Sequence, residues 1–559
     1  MEGNTKMNKS NLTSNSSRSW TTRRDRKSIQ IAKAQPLVNG RIIPTNKIVE
    51  VLELLITSGD LVALEGDNQK QASFLSTALT QVNQNKINNL HMIMSSISRA
   101  DHLDIFEKGI AKKLDFSYSG AQSLRMAQMV EDGKIDIGAI HTYLELYGRL
   151  FVDLTPNIAL VAADKADAQG NLYTGSNTEE TPTIIEATAF RDGIVIVQVN
   201  ELVDTLPRVD VPGSWVDFVV VADKPYQLEA LFTRDPRNIT EIQILMAMMA
   251  IRGIYERHNV MSLNHGVGFN TAAIELLLPT YGESLGLKGK ICKNWVLNPH
   301  PTLIPAIESG WVESVHCFGG EVGMEKYVAA RPDVFFNGRD GSMRSNRAMA
   351  QVAGHYATDL FIGSTLQMDG NANSSTVTLG RLAGFGGAPN MGADARGRRH
   401  GSDAWLDMIT GKSDIVRGQK LVVQMVETFQ QGNAPVLIES LDAIQVGRDS
   451  HFPIAPVMIY GDDVTHVITE EGIAYLYKAR SLDERRLALA SIAGVTPIGM
   501  KSNPTITSKL RKDGIIALPE DLLVKRTDAK RSLLAAKSID DLVNWSGGLY
   551  QPPAKFKTW

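Results

Sequence analysis

Short apolar runs rich in β-branched residues alternate with stretches of helical periodicity along most of this chain, and this alternation is what most constrains its fold. In the first half, an apolar run at 61–64 follows a helical pattern at 47–58 after a Gly-Asp break. Runs of the same kind lie at 89–95, 135–140, 158–163, 193–200 and 215–222. Such runs, separated by helices, are typical of a mostly parallel sheet covered by helices on both faces. The sequence therefore predicts an α/β protein.

A charged, proline-containing stretch at 223–237 interrupts the alternation and predicts a boundary between two units built on one plan. After it we expect a long helix at 239–256, and then a strand, a glycine-containing loop and a helix within 261–278. A hairpin is predicted at 164–177, and later strands at 334–336, 360–362, 421–426 and 434–439. The predicted parts are a disordered basic tail at 1–27, α/β domains at 28–237 and 238–499, and a peripheral extension at 500–559.

The bulk composition excludes several classes of protein. The 559 residues carry a formal net charge of -3, which argues against a protein that binds nucleic acid through phosphate contacts. Only two cysteines occur, so neither a disulfide framework nor a zinc site is indicated. No apolar run approaches the roughly 18 residues that a membrane helix needs, and the basic tail lacks the apolar core of a secretory signal. We expect a cytoplasmic protein.

Two glycine-containing loops are the strongest candidates for a binding site. The first follows the predicted strand at 261–265 and precedes a helix; it contains Gly266, Val267 and Gly268. The second contains Gly384, Gly386 and Gly387, and three arginines follow it, Arg396, Arg398 and Arg399. Glycines let backbone N–H groups approach phosphates or the oxyanions of acyl-transfer intermediates. An ordinary tight turn remains the alternative for either loop taken alone.

Five motifs in a fixed order resemble the acetyl-CoA hydrolase and CoA-transferase superfamily. They are NIALVAADKADAQGNLY at 157–173, the strand at 195–200, HGVGF at 265–269, GFGGA at 384–388 and VTHVITEEGIAYL at 464–476. The resemblance covers roughly residues 46–495. It implies two CoA-transferase-like open sheets, each mostly parallel with helices on both faces, and an active site between the two halves.

Three longer stretches resemble, within that superfamily, the α subunits of biotin-independent malonate decarboxylases: KNWVLNPHPTLIPAIESGW, ARPDVFFNGRDGSMRSNRAMAQ and GFGGAPNMGADARGRRHGSDAW. This resemblance implies an acyl-carrier-protein transferase that exchanges acetate for malonate on the carrier thiol. The implied partners are an acyl carrier protein subunit and the decarboxylase β and γ subunits. No cofactor or metal bound by this chain is implied, because the thiol belongs to the carrier's phosphoribosyl-dephospho-CoA arm; free CoA thioesters are candidate substrates as well.

The resemblance also suggests how the exchange proceeds. Covalent CoA-transferases use a glutamate about two dozen residues after the first glycine loop, and Asn294 falls at that place here. An asparagine cannot form a glutamyl thioester. We therefore expect malonate itself to attack the acetyl thioester, giving a mixed anhydride without a covalent enzyme intermediate.

Two groups of residues are assigned to this reaction. The expected catalytic donors, which stabilise the oxyanion, are Gly266, Val267, Gly268, Gly386, Gly387 and Asn294. The expected substrate-binding residues are Arg396, Arg398, Arg399, Asn371, Asn373 and Gly384, with Arg344 and Arg347 as further candidates for malonate's second carboxylate. Solvated loop charge is the alternative for each arginine, and turn capping is the alternative for Asn371 and Asn373.

Other assignments are weaker. The sequence predicts that His265 is a packed histidine rather than a base, and that Cys292 is a buried structural thiol. His300 and His316 lack metal-ligand spacing, and no G-x-G-x-x-G follows a strand as a dinucleotide dehydrogenase would require. The functional alternatives are a citrate-type acyl-carrier-protein or CoA transferase, an acetyl-CoA hydrolase, and a non-catalytic scaffold that docks the carrier protein.

Overall fold

The computed structural model describes residues 20–226, 228–393, 420–430 and 433–556. Within them the chain forms two α/β units. The strands of the first unit are β1 (Ile42–Ile43), β2 (Leu61–Leu64), β3 (Gly66–Asp67), β4 (Lys70–Gln71), β5 (Leu90–Ser96), β6 (Ala111–Tyr118), β7 (Asp136–Ile140), β8 (Ile158–Ala166), β9 (Leu172–Tyr173), β10 (Ile194–Leu202) and β11 (Phe218–Val221). Its helices are α1 (Trp20–Ala34), α2 (Ile48–Leu55), α3 (Ser73–Leu79), α4 (Ala100–Glu107), α5 (Ser123–Glu131), α6 (Tyr143–Val152) and α7 (Thr181–Ala189).

The second unit repeats the pattern. Its strands are β12 (Ser262–His265), β13 (Asn294–Val296), β14 (Ser314–His316), β15 (Leu360–Gly363), β16 (Gln367–Met368), β17 (Ser374–Ser375), β18 (Val377–Thr378), β19 (Arg381–Leu382), β20 (Leu421–Met425), β21 (His466–Thr469), β22 (Gly472–Tyr475) and β23 (Ile516–Ala517). Its helices are α8 (Glu241–Ala250), α9 (Phe269–Leu277), α10 (Ile304–Glu308), α11 (Glu325–Ala330), α12 (Arg347–Tyr356), α13 (Ala388–Met391), α14 (Asp442–Asp449), α15 (Leu482–Ser491), α16 (Pro504–Lys512) and α17 (Ile539–Trp545).

Each unit has one large sheet with a reversal of strand order near its middle. The first sheet has the order β1-β11-β10-β8-β2-β5-β6-β7, and all of these strands are parallel, while β9 pairs antiparallel with β8. The second has the order β14-β13-β12-β15-β20-β21-β22-β23, with antiparallel pairs only at β21-β22 and β22-β23. The topological switch points therefore lie between β2 and β8 and between β12 and β15. Ligands of open α/β sheets bind outside the carboxyl ends of strands at such points.

The central strands are buried on both faces, which explains their continuous apolar runs. In β8, Leu160 belongs to the core on one side of the sheet and Val161 to the core on the other. The same alternation holds for Ile196 and Val197 in β10. Because successive side chains of a strand point to opposite faces, both faces must be covered by helices.

The two units meet where the loops that follow their parallel strands approach each other. Gln69, which follows β2, donates from Nε2 to Glu321, which follows β14, over 3.3 Å. Tyr118, at the end of β6, forms a β-bridge with Gly384 of the second unit. The contact between the units therefore lies at the edge where α/β sheets bind ligands.

The predicted fold class is confirmed, and so are the hairpin at 164–177 and most of the predicted strands. Residues 334–336 and 434–439 form only isolated bridges, whereas β6, β13 and β14 lie where no strand was predicted.

The described part of the predicted basic tail is the beginning of α1. The predicted peripheral extension contributes β23 to the second sheet and buries Ile539 and Tyr550 in its core. No helix among the described residues is long and apolar enough to cross a membrane.

Candidate functional site

A cavity of about 750 Å³ lies at the switch point of the second sheet. Residues that follow β15 and β20 line it, among them Ser364 and Glu427, together with Phe269 and Asn270 of the first turn of α9. Helix N-termini attract negative charge because their first N–H groups have no partner within the helix. The cavity therefore combines the position of a ligand site with an electrostatic preference for anions.

The loop between β12 and α9 directly precedes Phe269 and Asn270, which line this cavity. Its Gly266 donates its N–H to the carbonyl of Ile362 over 2.7 Å, and a Cβ atom there would stand 3.0 Å from the Cα of Gly363. Glycine thus leaves room for the close crossing of two chain segments. Val267 is 41% exposed, and within the described residues the amides of Val267 and Gly268 donate to no other backbone group. These two amides are the ones this loop can offer to an oxyanion, whereas that of Gly266 is occupied.

The second glycine loop packs on the end of β6 in the first unit. Phe385 and Gly386 donate their N–H groups to the carbonyl of Ser117, over 2.6 and 2.9 Å. Gly384 has φ +75°, and a Cβ atom there would stand 2.4 Å from the same carbonyl oxygen. A Cβ atom at Gly387 would stand 2.8 Å from the side chain of Gln351. Gly384 and Gly386 therefore serve close packing between the units, whereas Gly387 packs within the second unit. The amide of Gly386 is not available to a substrate.

Several predicted substrate-binding residues lie elsewhere. Asn373 donates from Nδ2 to Asp369 over 2.9 Å and accepts from the N–H of Gly461 over 2.8 Å. Asn371 accepts from Arg486 over 2.8 Å. Both belong to the turn between β16 and β17, so the structure favours turn capping over substrate binding. The predicted Arg396, Arg398 and Arg399 lie outside the described residues.

Asn294 is placed at the opposite edge of the sheet from the first glycine loop. It begins β13, pairs with Ser262 at the start of β12, and accepts from the hydroxyl of Ser314 over 2.8 Å. The glycine loop follows the other end of β12. The structure therefore does not bring Asn294 to the oxyanion donors, and the predicted equivalence with a catalytic glutamate is corrected. The argument that this position favours direct transfer loses its basis.

Residues 229–234, which the sequence suggested only as part of a boundary, cross the contact between the two units. Glu229 donates its N–H to the carbonyl of Asn68 over 3.0 Å, and Thr233 donates its hydroxyl to Glu321 over 2.7 Å. The segment therefore contacts loops that follow β2 in the first sheet and β14 in the second. No periodic pattern marks it, so its charged residues gave no sign that they enter the site.

Arg234 is the cation that this crossing segment brings to the site. Its guanidinium carbon lies 5.8 Å from the ring centroid of Phe269, the first residue of α9. Burial lowers the pKa of Arg234, although Glu321 and Tyr118 oppose this effect. Among the described residues no carboxylate lies within ion-pair distance of it. Burial also raises the pKa of Tyr118, which Arg234 opposes. Because Tyr118 is bridged to Gly384, the two glycine loops flank one boundary.

The switch point of the first sheet is filled by buried charged side chains. Arg347, from α12 of the second unit, pairs with Asp67 and Glu179. Glu65 accepts hydrogen bonds from the hydroxyl of Thr181 and from a backbone amide, and Lys70 lies fully buried nearby. Burial raises the pKa of Glu65 and of Glu179 to about 7. Arg347, a candidate for malonate's carboxylate, is therefore already paired with protein carboxylates.

Glu275 and two histidines form a second buried group beneath the first glycine loop. Glu275 accepts from Nδ1 of His265 and of His300, each over 2.9 Å. Burial alone would raise the pKa of Glu275, but His300 and His265 outweigh it and hold the pKa well below its usual value. His265 also contacts Tyr255 at 2.9 Å, so it is packed, as expected. Cys292 is fully buried, and burial raises its pKa, which keeps the thiol protonated.

Comparison with known proteins adds to this geometry. A family model described as malonate decarboxylase, alpha subunit, transporter, matches residues 19–559. The chain belongs to the malonate decarboxylase α-subunit family. A curated relative, the acetyl-S-ACP:malonate ACP transferase of Malonomonas rubra, is 58% identical over 526 residues, which cover 93% of this chain and 95% of the relative.

Solved structures agree with the family. A Pseudomonas malonate decarboxylase hetero-tetramer in complex with malonate contains a chain that is 66% identical, with a TM-score of 0.94 over 97% of this chain and 99% of that one. The malonate decarboxylase α subunit of Acinetobacter baumannii is also 66% identical, with a TM-score of 0.93 and 96% and 100% coverage. At 15% identity, a putative citrate lyase α subunit from Streptococcus mutans shares the fold, with a TM-score of 0.57 over 92% and 87% of the chains.

Proposed function

We propose that this family member exchanges acetate for malonate on the thiol of an acyl carrier protein, converting acetyl-S-ACP and malonate into malonyl-S-ACP and acetate. The observation that carries the proposal is the 750 Å³ cavity at the second switch point, beside the unoccupied backbone amides of the first glycine loop. Its relatives are named for this reaction or for malonate decarboxylase. The cavity has room for the end of a thioester arm, and α9 directs its positive end toward it.

The chemistry needs oxyanion stabilisation more than a strong base. A carboxylate oxygen of malonate attacks the acetyl carbonyl carbon, and the C–S bond breaks to give a mixed anhydride and a thiolate. The thiolate then attacks the malonyl carbonyl carbon, and acetate leaves. Both tetrahedral intermediates carry a negative oxygen, which the amides of Val267 and Gly268 would bind; one well-placed donor lowers such a barrier by about 3–4 kcal/mol.

Direct attack by malonate needs no enzyme carboxylate, whereas a covalent route needs one that can reach the cavity. Glu65, Glu179 and Glu275 are fully buried and already accept hydrogen bonds. Glu427 differs, because it lines the cavity, is partly exposed and accepts from Nε2 of Gln243 over 2.9 Å. Among the described residues, Glu427 is therefore the one whose substitution tests a covalent route.

Oxygen labelling separates the two routes. The enzyme, in excess over acetyl-S-ACP, is mixed with malonate labelled with ¹⁸O in all carboxylate oxygens, and the acetate from a single turnover is analysed by mass spectrometry. Direct attack leaves one ¹⁸O in acetate, because the attacking oxygen departs with the acetyl group. A route through an enzyme carboxylate gives unlabelled acetate and an adduct that borohydride traps. Glu427→Gln would abolish exchange in the second case alone.

The substrate and partners follow from the same proposal. The carrier's phosphoribosyl-dephospho-CoA arm would enter the cavity, and the chain would act in a complex with the carrier protein and the decarboxylase β and γ subunits. Exchange with malonate but not citrate distinguishes it from a citrate-type transferase. Loss of acetyl thioester without any acceptor acid would instead indicate a hydrolase, and a wild-type chain that binds the carrier without exchanging acyl groups would indicate a scaffold.

A further inference from the structure

Malonate differs from the acetate that it replaces by a second carboxylate, and a site that prefers malonate must bind this group. A cation fixed near the oxyanion donors is the simplest means, and arginine is well suited because its planar edge binds both oxygens of a carboxylate. Arg347 does not meet this need, since both of its terminal nitrogens already pair with carboxylates. Arg208 is likewise paired, with Asp210 and Asp340.

Arg234 has the free edge that such binding requires. Its Nη1 donates to the carbonyls of Leu231 and Thr233, over 2.8 and 2.9 Å. These bonds hold the guanidinium against its own backbone. Among the described residues, Nε and Nη2 have no acceptor, and they form the edge that matches a carboxylate. The side chain is only partly buried, so a small acid can reach it.

Contacts with the second unit fix the position of Arg234. Thr233, its neighbour, donates both its N–H and its hydroxyl to Glu321, over 2.9 and 2.7 Å. The guanidinium stands over the ring of Phe269, which lines the cavity and follows the Val267 and Gly268 amides directly. A cation is thus held next to the first turn of the helix whose N-terminus faces the reacting carbonyl. This arrangement places positive charge near the oxyanion site, and among the described residues no carboxylate forms an ion pair with it, although Glu321 is close enough to act on its pKa.

We propose that Arg234 binds the carboxylate of malonate that does not react, and that it thereby sets the preference for a dicarboxylic acceptor over acetate. The proposal rests on the exchange reaction proposed above, because it assigns a role within that site. Tyr118, whose pKa responds to Arg234, stands on the other side of the boundary. Tyr118 belongs to the first unit, whereas Arg234 belongs to the segment that crosses the contact between the two units.

Two exchange reactions measured with one enzyme test this role. The first is transfer from acetyl-S-ACP to malonate, and the second is incorporation of [¹⁴C]acetate into acetyl-S-ACP, which involves no second carboxylate. In Arg234→Met we expect the ratio of kcat/KM for malonate to that for acetate to fall about 100-fold, through the KM for malonate. Arg234→Lys should restore part of the ratio, because it returns the charge without the planar edge. Arg237→Met, which changes an exposed arginine three residues further along the chain, is the matched control and should keep the ratio.

A binding measurement separates this role from folding and from the proposed function. Malonate should raise the thermal midpoint of the wild-type protein and of Arg237→Met, but not that of Arg234→Met, with acetate as the control ligand. An unchanged ratio of the two kcat/KM values in Arg234→Met would overturn the assignment. The assignment would also fail if Arg234→Met slowed both exchange reactions equally and Arg234→Lys did not restore the malonate reaction more than the acetate reaction. If the wild-type protein exchanges neither acid, the proposed function fails, and the malonate-dependent shift still decides whether Arg234 binds the acid.

Discussion

The two sheets follow one plan, but their switch points differ. In the first sheet the space beyond β2 and β8 is occupied by Glu65, Lys70 and Glu179, with Arg347 contributed by the second unit. In the second sheet the equivalent space beyond β12 and β15 is a cavity lined in part by Phe269, Asn270 and Ser364. The same architecture thus supplies a rigid contact surface in one half and an open site in the other. The side chains that follow the strands, rather than the strands themselves, decide which.

The largest expected effect comes from breaking the buried charge cluster of the first switch point. Arg347→Met leaves Asp67 and Glu179 buried without their counter-ion, which should lower the free energy of unfolding by about 3–5 kcal/mol. Denaturant titration followed by circular dichroism measures it. Arg344→Met removes an exposed arginine three residues away and should change stability by less than about 0.5 kcal/mol. Equal stability of the two variants would show that the cluster does not hold the units together.

Filling the second switch point should affect activity rather than stability. Ser364 is exposed at the cavity, so Ser364→Trp should displace the thioester and reduce the exchange rate about 100-fold, as small misplacements at a reacting centre do. Asn294→Trp puts the same side chain on an exposed position at the opposite edge of the sheet and should leave the rate nearly unchanged. The comparison of the two halves would be contradicted if Ser364→Trp exchanged acyl groups at the wild-type rate.

The two halves should also respond differently to pH. Burial raises the pKa of Glu65 from 4.5 to about 7, so its contribution to stability is complete below pH 4.5 and is lost as the pH rises through 7. Between pH 5.5 and 7.5 this loss amounts to about 2 kcal/mol. Glu65→Gln should remove that part of the pH dependence. Glu275, whose pKa is held low by His300 and His265, should contribute nothing in this window.

Unfolding curves of wild type and Glu65→Gln at the two pH values give the difference directly. Parallel pH dependence in the two proteins would mean that Glu65 titrates in the folded state as it does in the unfolded chain.

The smallest effect is expected at Asn373, which the sequence suggested as a substrate ligand. Asn373→Ala removes hydrogen bonds to Asp369 and to the N–H of Gly461. We expect a loss of about 1 kcal/mol of stability and an exchange rate close to that of the wild type. A large rise in the KM for malonate in Asn373→Ala would instead show that this turn binds the substrate. Asn371→Ala, in the same turn, is the comparison variant.

Local patterns explain which elements could be foreseen. The runs that became β8 and β10 are long, apolar and β-branched, because both faces of these strands are buried. The run at 111–118 (AKKLDFSY) carries two lysines and an aspartate, so it gives no apolar strand pattern. Asp115 is nevertheless buried, because distant partners, among them His91 and His141, pair with it. β13 and β14 have three residues each, too few to give a periodic signal.

What the sequence alone determined is the alternating α/β plan, the family resemblance and the presence of the two glycine loops, because each depends on residues near one another in the chain. The close approach of Gly266 to Gly363 and of Gly384 to Ser117 is a tertiary contact, which the sequence did not predict. Only the tertiary structure decided which amides remain available, that Asn294 lies at the wrong edge, and that Arg234 enters the boundary between the units. These facts depend on which strand neighbours which, and on contacts such as that of Thr233 with Glu321, 88 residues away. Hydrophobic periodicity determines which elements form, whereas the pairing of distant strands determines which loops meet.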